Sequence, residues 1–165
     1  MTPHCPVKFG TDGWRAVIGE DYTFENIRLV AQATADYFAR KQTRTTRKRM
    51  VVGYDRRFLS NEFAQTTAEV LTGNGYEVLL SDRPVPPPAV SWHTAKQKAR
   101  AGIMITASHN PARFNGFKIK LHHGGPADPN TCRAIEQNLQ KRPVKQLTPI
   151  KAKRRKLLRT SNLLP

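Results

Sequence analysis

Ile103-Met104-Ile105-Thr106-Ala107-Ser108-His109-Asn110-Pro111 runs from three consecutive apolar residues into a small polar loop stopped by proline. A short apolar run without polar alternation suits a strand buried on both faces, and such strands belong to sheets covered by helices on either side. In sheets of this kind ligands bind outside the carboxyl ends of the strands. The stretch therefore predicts an α/β fold with Ser108 delivered to the edge of the sheet where chemistry takes place.

Working outward, Met50-Val51-Val52-Gly53-Tyr54 is a second buried-strand run, handing over to the polar Asp55-Arg56-Arg57. A helix is expected next, opened by Ser60 as N-cap and stopped by Gly73-Asn74-Gly75. Glu77-Val78-Leu79-Leu80 reads as another strand. Pro84-Val85-Pro86-Pro87-Pro88 reads as a stiff extended connector, because proline lacks the amide donor and restricts its predecessor. A helix over Ala89–Gln97 and a strand over Ala101–Ile105 follow. Upstream, Phe9–Arg15 is turn-rich, Ala16-Val17-Ile18 fits a short strand, and Thr23 stands as N-cap to a helix carrying Phe24, Ile27, Val30, Ala31, Thr34 and Phe38 at helical spacing. Downstream, Phe117-Lys118-Ile119-Lys120 alternates, which puts both lysines on one face of a strand. Pro129–Leu139 reads as a last helix.

Strand and helix alternate along most of the chain. That pattern predicts a three-layer α/β/α sandwich with a mostly parallel, mixed sheet, as one domain over residues 7–140. Residues 141–165 are expected to form a basic linker or tail toward an absent second domain, since no strong apolar periodicity continues beyond Pro143 and Lys151 to Pro165 reads as linker or disordered tail. No internal repeat is visible.

With 38% apolar and 24% charged residues over 165 positions, the composition is that of an ordinary globular domain. No run approaches the roughly 18 to 20 apolar residues of a membrane helix, and the first residues lack a signal-peptide pattern, so a cytoplasmic protein without membrane contact is expected. Cys5 and Cys132 lack the spacing of a zinc site or a disulfide framework. The net charge of +16 is concentrated in two acid-free segments, 40–49 with six basic residues and 141–165 with nine. Neither carries an aromatic residue for base stacking, so both read as solvated, although nonspecific nucleic-acid binding through the tail is compatible with such charge.

Phe9-Gly10-Thr11-Asp12-Gly13-Trp14-Arg15, Gly53-Tyr54-Asp55-Arg56-Arg57, the proline connector, Thr106–Pro111 and Asn115-Gly116-Phe117-Lys118 occur in that order. In this the chain, from about Val7 to Leu139, resembles the first α/β/α domain of the α-D-phosphohexomutases, with the phosphoglucomutase/phosphomannomutase branch fitting best. The resemblance implies an intramolecular phosphotransferase of carbohydrate metabolism, acting on a hexose phosphate or hexose bisphosphate. Ser108 would be the phosphoryl carrier, and its phosphate one ligand of Mg²⁺, whose aspartates belong to a later domain in the family. The Asp-rich loop that would supply them is not in this sequence. The resemblance thus implies a truncated chain, incomplete as a catalyst alone or completed by the remaining mutase domains as a separate chain. Pro87 also departs from the family pattern, standing where a threonine is expected.

Phosphoryl transfer requires in-line placement and cations to neutralise charge on the phosphate oxygens. Arg15, His109 and Lys118 suit that need, with Lys118 favoured for proton transfer and Arg15 and His109 for holding the phosphate. Plainer roles stand beside these. Ser108 could be a turn former, Lys118 the solvated face of an edge strand, His109 a loop hydrogen-bond partner, Arg15 a partner of Asp12 or Asp55, and Asn110 a loop cap. A protease-like Ser108–His109 pair fits poorly, because sequence neighbours point apart whereas a hydrolase base reaches the serine oxygen from elsewhere and is oriented by a third group, and no Gly-x-Ser-x-Gly elbow occurs. A free-standing phosphosugar-binding module and a basic RNA-binding protein remain as alternative functions. The His122-His123 pair stays unassigned.

Overall fold

A computed structural model describes residues 5–41 and 46–164. Residues 42–45, in the middle of the first basic segment, and the first four residues lie outside the described part.

The elements follow in the order β1 (Trp14–Val17), α1 (Phe24–Arg40), β2 (Arg47–Tyr54), α2 (Ser60–Gly73), β3 (Glu77–Ser81), α3 (Pro87–Lys96), β4 (Ala99–Ile105), β5 (Phe114–Leu121), α4 (Pro129–Glu136), α5 (Pro149–Arg154) and β6 (Leu158–Ser161). Six strands form one sheet in the order β1-β5-β4-β2-β3-β6. The pairs β2–β3, β2–β4 and β3–β6 are parallel, whereas β5 runs antiparallel to both neighbours. The expected mixed α/β sandwich is therefore the fold observed.

Apolar patterning explains the layers. Met50, Val52 and Tyr54 of β2 and Ile103 and Ile105 of β4 point into the larger core, where α1 contributes Ile27, Val30, Ala31 and Phe38 and α2 contributes Phe63, Val70 and Leu71. Val51 and Met104, one residue out of phase, face a smaller core with Val85, Ala89, Val90 and Leu163. This is the two-residue alternation of strands buried on both sides. On that second face α3 lies directly on the backbone: a β-carbon on Gly102 would stand 2.1 Å from Thr94 Oγ1. Thr23 caps α1 as its sequence suggests, its hydroxyl accepting the Asn26 amide at 3.2 Å.

Several expectations are corrected. Ser60 is the first helical residue of α2 rather than its cap; that place falls to Leu59, in the left-handed region at φ 57°, with no side-chain cap bond. The Ser60 hydroxyl is drawn away to the Asp55 carboxylate at 2.9 Å. The proline connector is shorter than expected, because Pro87 and Pro88 open α3 at positions whose amides need no intrahelical acceptor. Part of the stretch read as a linker or disordered tail is folded, with α5 and β6 within it and β6 paired in register to β3 from Val78↔Leu158 to Ser81↔Ser161. A run of cations hid the few apolar contacts, Ala152 and Leu163, that anchor it. The helix expected over Pro129–Leu139 ends earlier, at Glu136.

Cys5 and Cys132 are both free thiols. No helix among the described residues is long and apolar enough to cross a membrane.

Candidate functional site

The topology fixes where a site belongs. From the carboxyl end of β2 the chain leaves toward β3, and from that of β4 it leaves toward β5, on the opposite side. The crevice between them is the switch point where open α/β sheets bind ligands. Tyr54 and Ile105 are paired there, so Asp55-Arg56-Arg57 and Thr106–Pro111 emerge side by side.

Arg57 organises the loop. Its guanidinium donates to the carbonyls of Pro111 at 2.9 Å, Phe114 at 3.0 Å, Ser108 at 2.7 Å and Asn110 at 2.7 Å. A planar, permanently charged fork is the side chain suited to gather several carbonyls at once. Asp55 works from the other end. It accepts from the Arg57 amide at 3.0 Å, the Ser60 hydroxyl at 2.9 Å and the Thr106 hydroxyl at 2.5 Å. The Thr106 oxygen in turn accepts the Ser108 amide at 3.0 Å. Held by its own amide and carbonyl, Ser108 adopts φ 57°, a conformation unusual for a residue other than glycine. The residue is exposed. Strained backbone over-determined by surrounding hydrogen bonds is a feature that clusters at functional sites.

Arg15 and Lys118 approach from the β1–β5 side. Arg15 donates to Asn110 Oδ1 at 2.5 Å and stands 3.5 Å from the Asp12 carboxylate, which also receives the Lys118 ammonium. Burial works to raise the Asp12 carboxyl, but the Lys118 hydrogen bond and the charges of Lys118, Lys120 and Arg15 outweigh it and hold the group below its usual range. Lys118 is buried, and β5 lies inside the sheet, which removes the reading of a solvated edge-strand lysine. Lys120 shares its face; burial and the charge of Lys118 depress its pKa against the opposing pull of Asp12.

Ser108, Arg15 and Lys118 are thus joined through Asn110 and Asp12. His109 is not drawn in: it is exposed and makes no side-chain hydrogen bond among the described residues, so a loop-bracing role is not observed. Sequence reasoning gave Arg57 and Thr106 no task and offered Asp55 only as a partner of Arg15, which pairs with Asp12 instead. The available signal was position, a charged pair directly after a buried strand.

Beside the loop lies an open cleft of about 540 Å³ lined by Asp55, Arg56, Arg57, Phe58, Ser108, Asn110 and Ala112. No group of three or more His, Cys, Asp or Glu side chains among the described residues could hold a metal ion. The Asp12 carboxylate is committed to Lys118 and Arg15. These residues therefore do not fit a Mg²⁺ site on their own.

Fold and cleft together define an α/β/α domain that presents a braced serine loop at its switch point. Residues 6–145 match the family described as "Phosphoglucomutase/phosphomannomutase, alpha/beta/alpha domain I", and the chain belongs to that family. It is 35% identical over 134 residues to a phosphoglucomutase of Staphylococcus saprophyticus, covering 79% of this chain and 24% of that protein. Against the human glucose 1,6-bisphosphate synthase it is 36% identical over 146 residues, covering 81% and 24%. A crystal structure from Thermus thermophilus described as a phosphomannomutase superposes with a TM-score of 0.81 at 33% identity, covering 96% of this chain and 33% of that one. The chain matches about a quarter of the length of these curated relatives.

Proposed function

We propose that this chain is the phosphoserine domain of a phosphohexomutase-type intramolecular phosphotransferase, and that Ser108 is its phosphoryl carrier. The observation that carries the reading is the exposed Ser108, held at φ 57° on a loop whose carbonyls are gathered by Arg57. Phosphoryl transfer is governed by placement and charge, and a rigid carrier beside cations supplies both.

In the loading step the Ser108 oxygen attacks a phosphorus of a hexose bisphosphate. The new Oγ–P bond forms as the bond from phosphorus to the sugar oxygen breaks. The departing oxygen keeps the electron pair, and the serine proton ends on it. The sugar leaves as a hexose monophosphate, and the reverse step returns a phosphoryl group to a sugar hydroxyl. Arg15, linked to the loop through Asn110, holds the transferred group. Lys118, kept in place by Asp12, supplies positive charge and assists the proton's passage. His109, whose side chain makes no hydrogen bond among the described residues, donates to the phosphate. A cytoplasmic setting belongs to the same proposal.

Incubating the chain with glucose 1,6-bisphosphate and measuring its intact mass tests this. A gain of about 80 Da, absent in Ser108→Ala, is the expected result for a covalent phosphoenzyme. Sugar-phosphate binding without any mass gain would support a binding module in its place.

A further inference from the structure

The α3 face of the sheet has two flanks. On one side of α3 lie Arg15, Lys118 and Lys120, already placed in the serine site. On the other side β3 and β6 are left without a covering helix, and the space beside His93 and Gln97 of α3 is a recess of about 350 Å³. Its floor follows from strand register, since Arg49 pairs with Glu77 and Leu79 with Arg159 across β2, β3 and β6. That volume is within the range of small-molecule sites.

The charges in this recess do not cancel. Arg49 donates to Glu77 Oε2 at 3.0 and 2.7 Å and to Gln97 Oε1 at 2.8 Å. Lys156 and Arg159 also line the recess, both exposed, and neither side chain makes an ion pair or hydrogen bond with a described residue. Three cations against one carboxylate leave two uncompensated positive charges. The His93 ring lines the recess, with both nitrogens shielded from solvent near the Leu163 backbone. Ser161 adds a hydroxyl at the far wall.

We infer that this recess is a second ligand site, one that takes a phosphomonoester carried on a small hydroxylated body. A phosphomonoester bears about −1.5 to −2 at neutral pH, which matches the two free cations. Lys156 and Arg159 hold the phosphate, with the His93 ring flanking the recess. Glu77, Gln97 and Ser161 offer partners for hydroxyl groups on the body. No aromatic ring besides His93 lines the recess to stack a nucleobase. The site lies across α3 from Ser108 and stands independently of the carrier reading.

The test is a titration of the ¹⁵N-labelled full chain with inorganic phosphate and, separately, with ribose 5-phosphate, following the His93 ring and the Ser161 amide. Both probes are expected to saturate these signals, the sugar phosphate more tightly. Lys156→Ala/Arg159→Ala should weaken binding about tenfold or more while core amide signals stay put, because two charge-assisted contacts are lost from exposed positions. Ser108→Ala should bind as the parent does, separating this site from the serine loop. Non-saturating shifts spread over the surface, affinity unchanged in the double variant, or saturation by a short oligonucleotide alone would each overturn the inference.

Discussion

At the scale of single residues, Arg57 determines whether the serine loop has one shape. Its side chain is only 14% exposed and gathers four carbonyls, of which only that of Pro111 also accepts a loop amide, from Phe114 at 3.0 Å, among the described residues. Arg57→Ala is expected to cost about 1–3 kcal/mol in denaturant unfolding and to speed amide exchange across 106–111. Arg57→Lys should not rescue the loop, since a point ammonium cannot span the four acceptors; unchanged exchange in the alanine variant would contradict the assignment. Asp12 gives a pH signature. Its carboxyl is held below the ordinary range, so the stability it contributes is present above about pH 4 and lost as pH falls through its folded value. Asp12→Asn should remove that part of the acid-limb slope in a stability-versus-pH series. Ser108 was legible in the sequence because the end of an apolar run announces a strand terminus. Arg57 was not, because a side chain that serves main-chain carbonyls leaves no partner residue type to search for.

At the scale of elements, the strands and helices with strong apolar periodicity were legible, and the elements built from exceptions were not. In α3, proline occupies the one part of a helix that tolerates it. The strand β6 has two exposed positions, Arg159 and Thr160, with its burial supplied by the following Leu163, which is 1% exposed in the smaller core. Its pairing covers the edge of β3 and leaves the short β6 as the outer strand, a short edge being one way sheets manage that hazard. If residues 149–164 are a structural part of the domain, Leu163→Ala should lower stability by about 2–3 kcal/mol in urea unfolding. A variant as stable as the parent would return this segment to the status of a loose tail.

At the scale of the whole molecule, a net charge of +16 is divided between two uses. A few cations are built into the fold: Arg57 braces the loop, Arg15 and Lys118 share Asp12, and Arg49 is paired with Glu77. Most of the cations between 141 and 159 are solvated, set on the α5–β6 edge, where composition alone could not separate a tail from a folded rim. Charge of this density supports solubility and salt-sensitive contact with polyanions, and says little about fold. The central claim is narrower: the hydroxyl of one exposed serine carries the phosphoryl group. Tandem mass spectrometry of the peptide spanning 101–113, after exposure to glucose 1,6-bisphosphate, tests it most directly. The account predicts phosphate on Ser108 and none on Thr106, whose oxygen is engaged by Asp55 and the Ser108 amide; an unmodified peptide, or phosphate at Thr106, would contradict it.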